Sequence, residues 1–249
     1  MRQPASALTA VALVVLAGCG AVPAPGPGPD TTERPQYPPG VTEDGLDDWR
    51  ALLDAHRESV RERGAVVASD TAVEARVDGD PRTVELTGEA RASPDGGPIY
   101  YETERLRVSG GEVAEVRVAG YADLDGVTER VVTDGNASVE REQRDLLAPL
   151  RDRYVVREWA LQRALSADEF AVANVERRDG RWVTTLVANE GSVADGEGQF
   201  SASVAVTETG RVLSLTMTQD PGTAGGVGRE QVRLTWTNGT TVEPPDWAQ

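Results

Sequence analysis

The chain has 249 residues and a formal net charge of −16, set by 41 acidic and 25 basic residues, every basic one an arginine. That balance excludes nucleic acid as a partner, since binding phosphates needs a basic patch and these arginines are scattered among carboxylates. One cysteine leaves no disulfide within the chain, and one cysteine with one histidine assembles no zinc site of ordinary ligand type.

The N-terminus carries the most specific signal. Arg2 precedes a short apolar run over residues 7–17, which ends in Leu16-Ala17-Gly18-Cys19. A positive start, an apolar core of about 7–15 residues and small residues at the cut define a secretory signal. The core is too short for a membrane span, which takes about 20 apolar residues. Leu-Ala-Gly before cysteine resembles the lipobox of prokaryotic lipoproteins. That resemblance implies that the Cys19 thiol receives lipid and that Cys19 becomes the first mature residue. Residues 20–40 read GAVPAPGPGPDTTERPQYPPG, too rich in Pro and Gly for a packed core. Such a segment extends about 3.1 Å per residue and suits a tether. The expected organisation is a signal peptide over 1–18, lipidated Cys19 and tether over 19–40, and one domain over 41–249.

The acidic, lysine-free composition fits GC-rich coding alone or a salt-adapted proteome, and the whole pattern resembles secreted proteins of halophilic archaea. At about 1 M salt the Debye length falls to about 3 Å, so the acidic surface no longer repels itself. The same charge disfavours attraction to anionic lipid headgroups, which leaves a covalent link to the membrane.

Within the domain, residues 41–64 predict a helix with Asp44 as N-cap. Leu46, Trp49, Leu52, Leu53, His56 and Val60 share one face, and Gly64 ends it. From Ala65 the period becomes two. Strands are expected over 67–77, 83–92, 99–108, 112–121 and 128–133, with Gly/Pro/Asp turns between them. Helical character returns around Leu146, Leu147 and Leu150 and over 157–166, with Trp159, Leu161 and Leu165 buried and Ser166 and Asp168 as turn residues. A second meander follows over 170–177, 182–189, 199–207, 211–219 and 231–236, and Asp179-Gly180 marks its first hairpin. The order predicts an α+β fold: a curved antiparallel sheet forming an open half-barrel with helices packed in its mouth.

Two resemblances accompany that order. FAVANVERRDGRWVTTLVANE followed by FSASVAVTETGRVLSLTMTQ resembles the strand pattern of the periplasmic lipoprotein-carrier fold and of lipid-carrying mycobacterial lipoproteins. PPGVTEDGLDDWRALLDAHRESV with the closing PPDWA resembles an uncharacterised haloarchaeal lipoprotein family. The first implies a half-barrel that holds acyl chains under helices, without assigning any ligand residue.

No catalytic constellation accompanies these elements, and the expectation is a protein that is not an enzyme and takes no cofactor. His56 sits on the apolar helix face with no Gly-x-Ser-x-Gly near any serine, so it reads as a half-buried helix histidine. Asp123-Leu-Asp125-Gly126 lacks the further ligands of a calcium loop and reads as a turn. Asn136-Ala-Ser138 and Asn238-Gly-Thr240 are candidate glycosylation acceptors at expected turns. The functional expectation is a membrane-anchored extracytoplasmic lipoprotein. Its partners would be the membrane, through lipid on Cys19, and an apolar ligand in a groove between sheet and helices. The alternative is a structural or protein-interaction lipoprotein, such as an envelope sensor, with a filled core.

Overall fold

Among the described residues, alternation of apolar and polar side chains builds eleven strands, and short Asp-Gly and Gly-rich turns reverse them. The computed structural model describes residues 34–77, 80–110, 112–166, 169–192, 199–220 and 227–249. Helix α1 (Trp49–Arg63) leads into β1 (Ala65–Val77), β2 (Asp80–Ala92), β3 (Ile99–Ser109), β4 (Glu112–Asp123), β5 (Gly126–Thr133) and β6 (Asn136–Glu142). Next come α2 (Leu147–Arg151), a π-helical turn (Asp152–Val156) and α3 (Glu158–Leu165). Strands β7 (Ala171–Arg178), β8 (Arg181–Ser192), β9 (Gln199–Thr207), β10 (Val212–Asp220) and β11 (Val227–Asn238) follow, and a 3-10 turn (Asp246–Ala248) closes the chain. Residues from Pro35 to Gln249 form one compact unit.

Every strand pair is antiparallel, in the order β6-β5-β4-β3-β2-β1-β11-β10-β9-β8-β7. The two meanders therefore join through β1 and β11, from Ala65↔Asn238 to Ala75↔Val227. Neither β6 nor β7 pairs with the other, so the curved sheet stays an open half-barrel, as expected. The helices lie on one face. Trp236 of β11 donates its indole N–H to the Val155 carbonyl at 2.8 Å, and both groups are buried. The π-helical turn frees that carbonyl, and the sheet answers it. Trp236→Phe should cost about 1–2 kcal/mol by leaving the carbonyl unpaired, read as a lower denaturant midpoint at unchanged slope.

Three expectations are corrected. The first helix begins at Trp49, not Val41, and its N-cap is Asp48, not Asp44. Asp48 Oδ1 accepts from the N–H groups of Arg50 and Ala51 at 3.0 and 3.1 Å. The preceding residues serve the edge strand instead: Leu46 donates its backbone N–H to the Phe170 carbonyl at 3.0 Å, and Gly45 bridges to Ala171. Only glycine fits there, because a Cβ on Gly45 would collide with the Phe170 carbonyl. Next, a sixth strand, β6, follows the Asp134-Gly135 turn where none was expected. Last, Trp159 is 65% exposed, while Ala160, Leu161, Ala164 and Leu165 face the core. Ser166 caps α3, and Asp168 lies outside the described residues.

Candidate functional site

Residues directly opposed in an antiparallel pair share a face. The register therefore gives the side chains on the helix-covered face row by row. One row runs Val67, Ala90, Tyr101, Gly120 and Glu129. Val67, Ala90 and Tyr101 are fully buried there. The next row outward is Ser69, Gly88, Thr103, Val118 and Val131, then Thr71, Leu86, Arg105, Val116 and Thr133, then Val73, Val84, Arg107 and Ala114. Past the Ser69 row burial falls off. Val118 of that row and Thr71, Val73, Val84, Leu86 and Val116 beyond it are apolar or methyl-bearing and only half-buried.

The other half of the sheet differs. Leu186, Val204, Leu215, Met217 and Val232 on β8–β11 are buried. Helix α1 reaches this half where His56 Nδ1 accepts the Val212 N–H at 3.1 Å, and α3 reaches it through the Arg163–Glu230 ion pair at 2.6 Å. The space between helices and sheet is thus packed. The half-buried apolar surface, the trough, is the part of the same curved face that continues beyond the helices on β1–β5.

The boundary between packed core and trough has a polar structure. Tyr101 arches over Gly120 and donates its hydroxyl to Glu129, two strands away. Its ring stacks on Tyr154 of the π-helical turn, with centroids 3.8 Å apart and planes within 6°. Burial, reinforced by the Glu129 hydrogen bond and charge, pushes the Tyr101 phenol far above its usual range, so it remains a donor.

One turn further on, Arg157 stands between the π-helical turn and α3 in the left-handed region, at φ 58° and ψ 39°. Its Nη2 donates to Ser69 Oγ at 2.7 Å, and its buried Nε–H has no acceptor. Among the described residues no carboxylate pairs with it. Burial pulls its pKa down to about 10, with Tyr154 opposing and the Arg153 charge adding slightly, so it stays a cation at neutral pH.

Charge is sorted by face around the trough. On β2 and β3 the acids Glu85, Glu89, Glu102 and Glu104 take the opposite face. Ion pairs there join Arg91 to Glu89 at 2.6 Å and Arg117 to Glu104 at 3.3 Å. Arg105 and Arg107 take the trough face, exposed and without an ion-pair partner among the described residues. Arg82 joins them at the far end of β2, half-buried, with Nε unpaired.

Cys19 and the signal and tether segments lie outside the described residues. No helix among the described residues is long and apolar enough to cross a membrane. Asn136 opens β6 and Asn238 closes β11; both are exposed. Asn136 pairs with Thr133 at the β5 end of the Thr71 row, and Asn238 pairs with Ala65 at the start of β1. His56 is a core residue, fully buried against Trp236 in an edge-on contact at 5.2 Å. The Asp123–Asp125 segment is a turn in which Asp123 Oδ1 accepts the Asp125 N–H at 2.8 Å, and no group of candidate metal ligands occurs among the described residues. Sequence reasoning missed Tyr101, Arg105, Arg107 and Arg157. Alternation in YYETERLRVS does place Tyr101, Arg105 and Arg107 on one face, but only the register shows that this face is the one with helices.

No family model and no curated protein matches the chain. Among solved structures it is similar to a DUF1329 family protein from Desulfovibrio piger, at 11% identity over 82% of this chain and 96% of that one, with a TM-score of 0.28. It is also similar to a protein described as an outer membrane lipoprotein-sorting protein domain from Vibrio parahaemolyticus, at 10% identity over 80% and 97%, with a TM-score of 0.25. A third is a β-barrel-like protein of domain of unknown function DUF1849 from Brucella abortus, at 13% identity over 72% and 98%, with a TM-score of 0.30. At such scores these likenesses carry no argument about ligand or activity, and the fold stands on its own strand order.

Proposed function

We propose that this chain is an extracytoplasmic lipoprotein, tethered to a membrane through lipid on Cys19, that holds an apolar ligand on the uncovered concave face of β1–β5 and catalyses no reaction. The observation that carries the ligand reading is the trough. Natural sheets bury their apolar face, and here Val73, Val84, Leu86, Val116 and Val118 are left half-open beside a packed core. The tether reading rests on Leu16-Ala17-Gly18-Cys19 and the Pro/Gly-rich segment after it. One acyl chain binds a membrane only marginally, so stable anchoring at Cys19 calls for a second chain on the same residue.

The second reading is a structural or interaction lipoprotein, and the packed β8–β11 half favours it. One preparation separates the two. The Cys19→Ser chain is expected in the medium rather than the membrane fraction, and solvent extraction of it should yield an apolar molecule near one per chain by mass spectrometry. Unchanged membrane retention would remove the anchor. A clean chain that also takes up no fluorescent apolar probe would remove the ligand.

A further inference from the structure

We infer that the trough takes a lipid with an anionic headgroup, and that Arg157 with Ser69 holds the headgroup while the acyl chain runs outward along β1 and β2. This rests on the proposed ligand-binding function and names the class of ligand.

The argument starts from charge. A chain with a net charge of −16 has no general reason to gather arginines on one face. Yet the trough face of β2 and β3 carries Arg82, Arg105 and Arg107, while the glutamates of the same strands lie on the other face. The exposed Arg105 and Arg107 stay hydrated and draw an anion toward the trough. Arg157 is different in kind. It is half-buried with its Nε shielded from water, bonded to one neutral hydroxyl, and has no carboxylate partner among the described residues. A cation in a low-dielectric site without its counter-ion is costly, and an incoming anion removes that cost.

The backbone adds an independent observation. Arg157 occupies a left-handed conformation that favours glycine. A non-glycine residue there costs stability, and here the long cationic side chain is aimed at Ser69 on the trough row.

The dimensions suit one acyl chain. From Ser69 to Val73 is four residues, about 13 Å at roughly 3.3 Å per residue. A bilayer core is about 30 Å thick, so one leaflet's acyl chain spans about 15 Å. Thr71, Leu86, Val73 and Val84 line that path, all half-buried.

The test uses the delipidated Cys19→Ser chain and two probes of equal chain length, palmitate and hexadecanol, each read by displacement of a fluorescent fatty acid. A charge-assisted hydrogen bond in a shielded site predicts that palmitate binds about 10- to 100-fold tighter than hexadecanol. Arg157→Gly, which relaxes the backbone, should abolish that preference by weakening palmitate far more than hexadecanol, with an unaltered circular-dichroism spectrum and melting curve as the control for folding. Equal binding of both probes by the unsubstituted arginine site overturns the headgroup assignment while leaving the apolar trough standing. Binding of neither probe overturns the trough itself. A preference that survives Arg157→Gly but vanishes in Arg105→Gln/Arg107→Gln overturns Arg157 as the headgroup residue. Displacement of palmitate by an equal concentration of inorganic phosphate also overturns the proposal, since a site for a tailless anion needs no trough.

Discussion

Acidification from pH 6.5 toward pH 3 is expected to destabilise the fold by up to about 5 kcal/mol through His56 alone. His56 is fully buried between α1 and the sheet. Its Nδ1 accepts the Val212 N–H, which fixes the neutral imidazole. Burial first, and then the nearby Arg211 charge, together lower its pKa from 6.5 to about 3. The Val156 carbonyl pulls weakly the other way without a bond of good geometry, since Nε2 has no hydrogen-bond partner. The unfolded chain therefore takes a proton near pH 6.5, and the folded one does not until about pH 3. Between those values the unfolded state binds more protons, so stability falls as pH falls, by about 1.4 kcal/mol per pH unit. The contribution is fully present above pH 6.5.

His56 is the only histidine in the chain, which makes the measurement clean. Its ring proton resonances should not titrate between pH 7 and pH 4 in the native state. His56→Gln keeps an acceptor for Val212 and removes the titration. Its stability should fall less steeply with acid than that of the parent. Equal slopes, or a native histidine that titrates near 6.5, would refute the account. Arg211 is 2% exposed and is held by the carbonyls of Gly64 and Thr237 at 3.1 and 2.6 Å, so it cannot swing away as the imidazole charges.

Gly120→Ala is expected to cost about 3 kcal/mol, lowering Tm by roughly 6–12 °C in a domain of this size. Tyr101 and Gly120 are directly opposed, and Gly120 in turn opposes Glu129. The Tyr101 ring crosses the space a Cβ would fill, and a methyl there meets the ring and its hydroxyl. An exposed tyrosine would swing aside. This one is fully buried, stacked on Tyr154 and hydrogen-bonded to Glu129, so the strain falls on the whole boundary of the core. The pair should be strongly coupled: in a Tyr101→Leu background the same Gly120→Ala change should cost much less. A cost independent of residue 101 would show that Gly120 matters for its backbone instead.

Much of the fold was legible because it is local. Period-two alternation located ten strands, and Asp179-Gly180 located their first hairpin in the second meander, since a two-residue turn with positive φ at both positions suits Asp-Gly. The same signal at Asp134-Gly135 marks the β5–β6 hairpin, yet β6 escaped notice. Its seven residues are all exposed, so NASVERE carries no buried face to alternate against. The helix start was misplaced because Asp44, Asp47 and Asp48 are equally good caps by residue type. Contact of Gly45 and Leu46 with the β7 edge decides among them. Trp159 was misassigned because helix periodicity defines a stripe only to within one residue, and small Ala160 and Ala164 took the core side.

By itself the sequence determined the Leu16-Ala17-Gly18-Cys19 pattern, the acidic composition, the Asn-x-Ser/Thr patterns at Asn136 and Asn238, and the helix–meander order. Those are properties of residue type and short-range spacing. Tertiary structure alone decided that β1 pairs with β11, that helices cover the second meander and one end of the first while the other end of β1–β5 stays half-open, and that Arg157 meets Ser69 across 88 residues. Pairing of distant strands and the placing of a charged side chain beside its hydrogen-bond partner depend on which surfaces are brought together, and no local pattern encodes that.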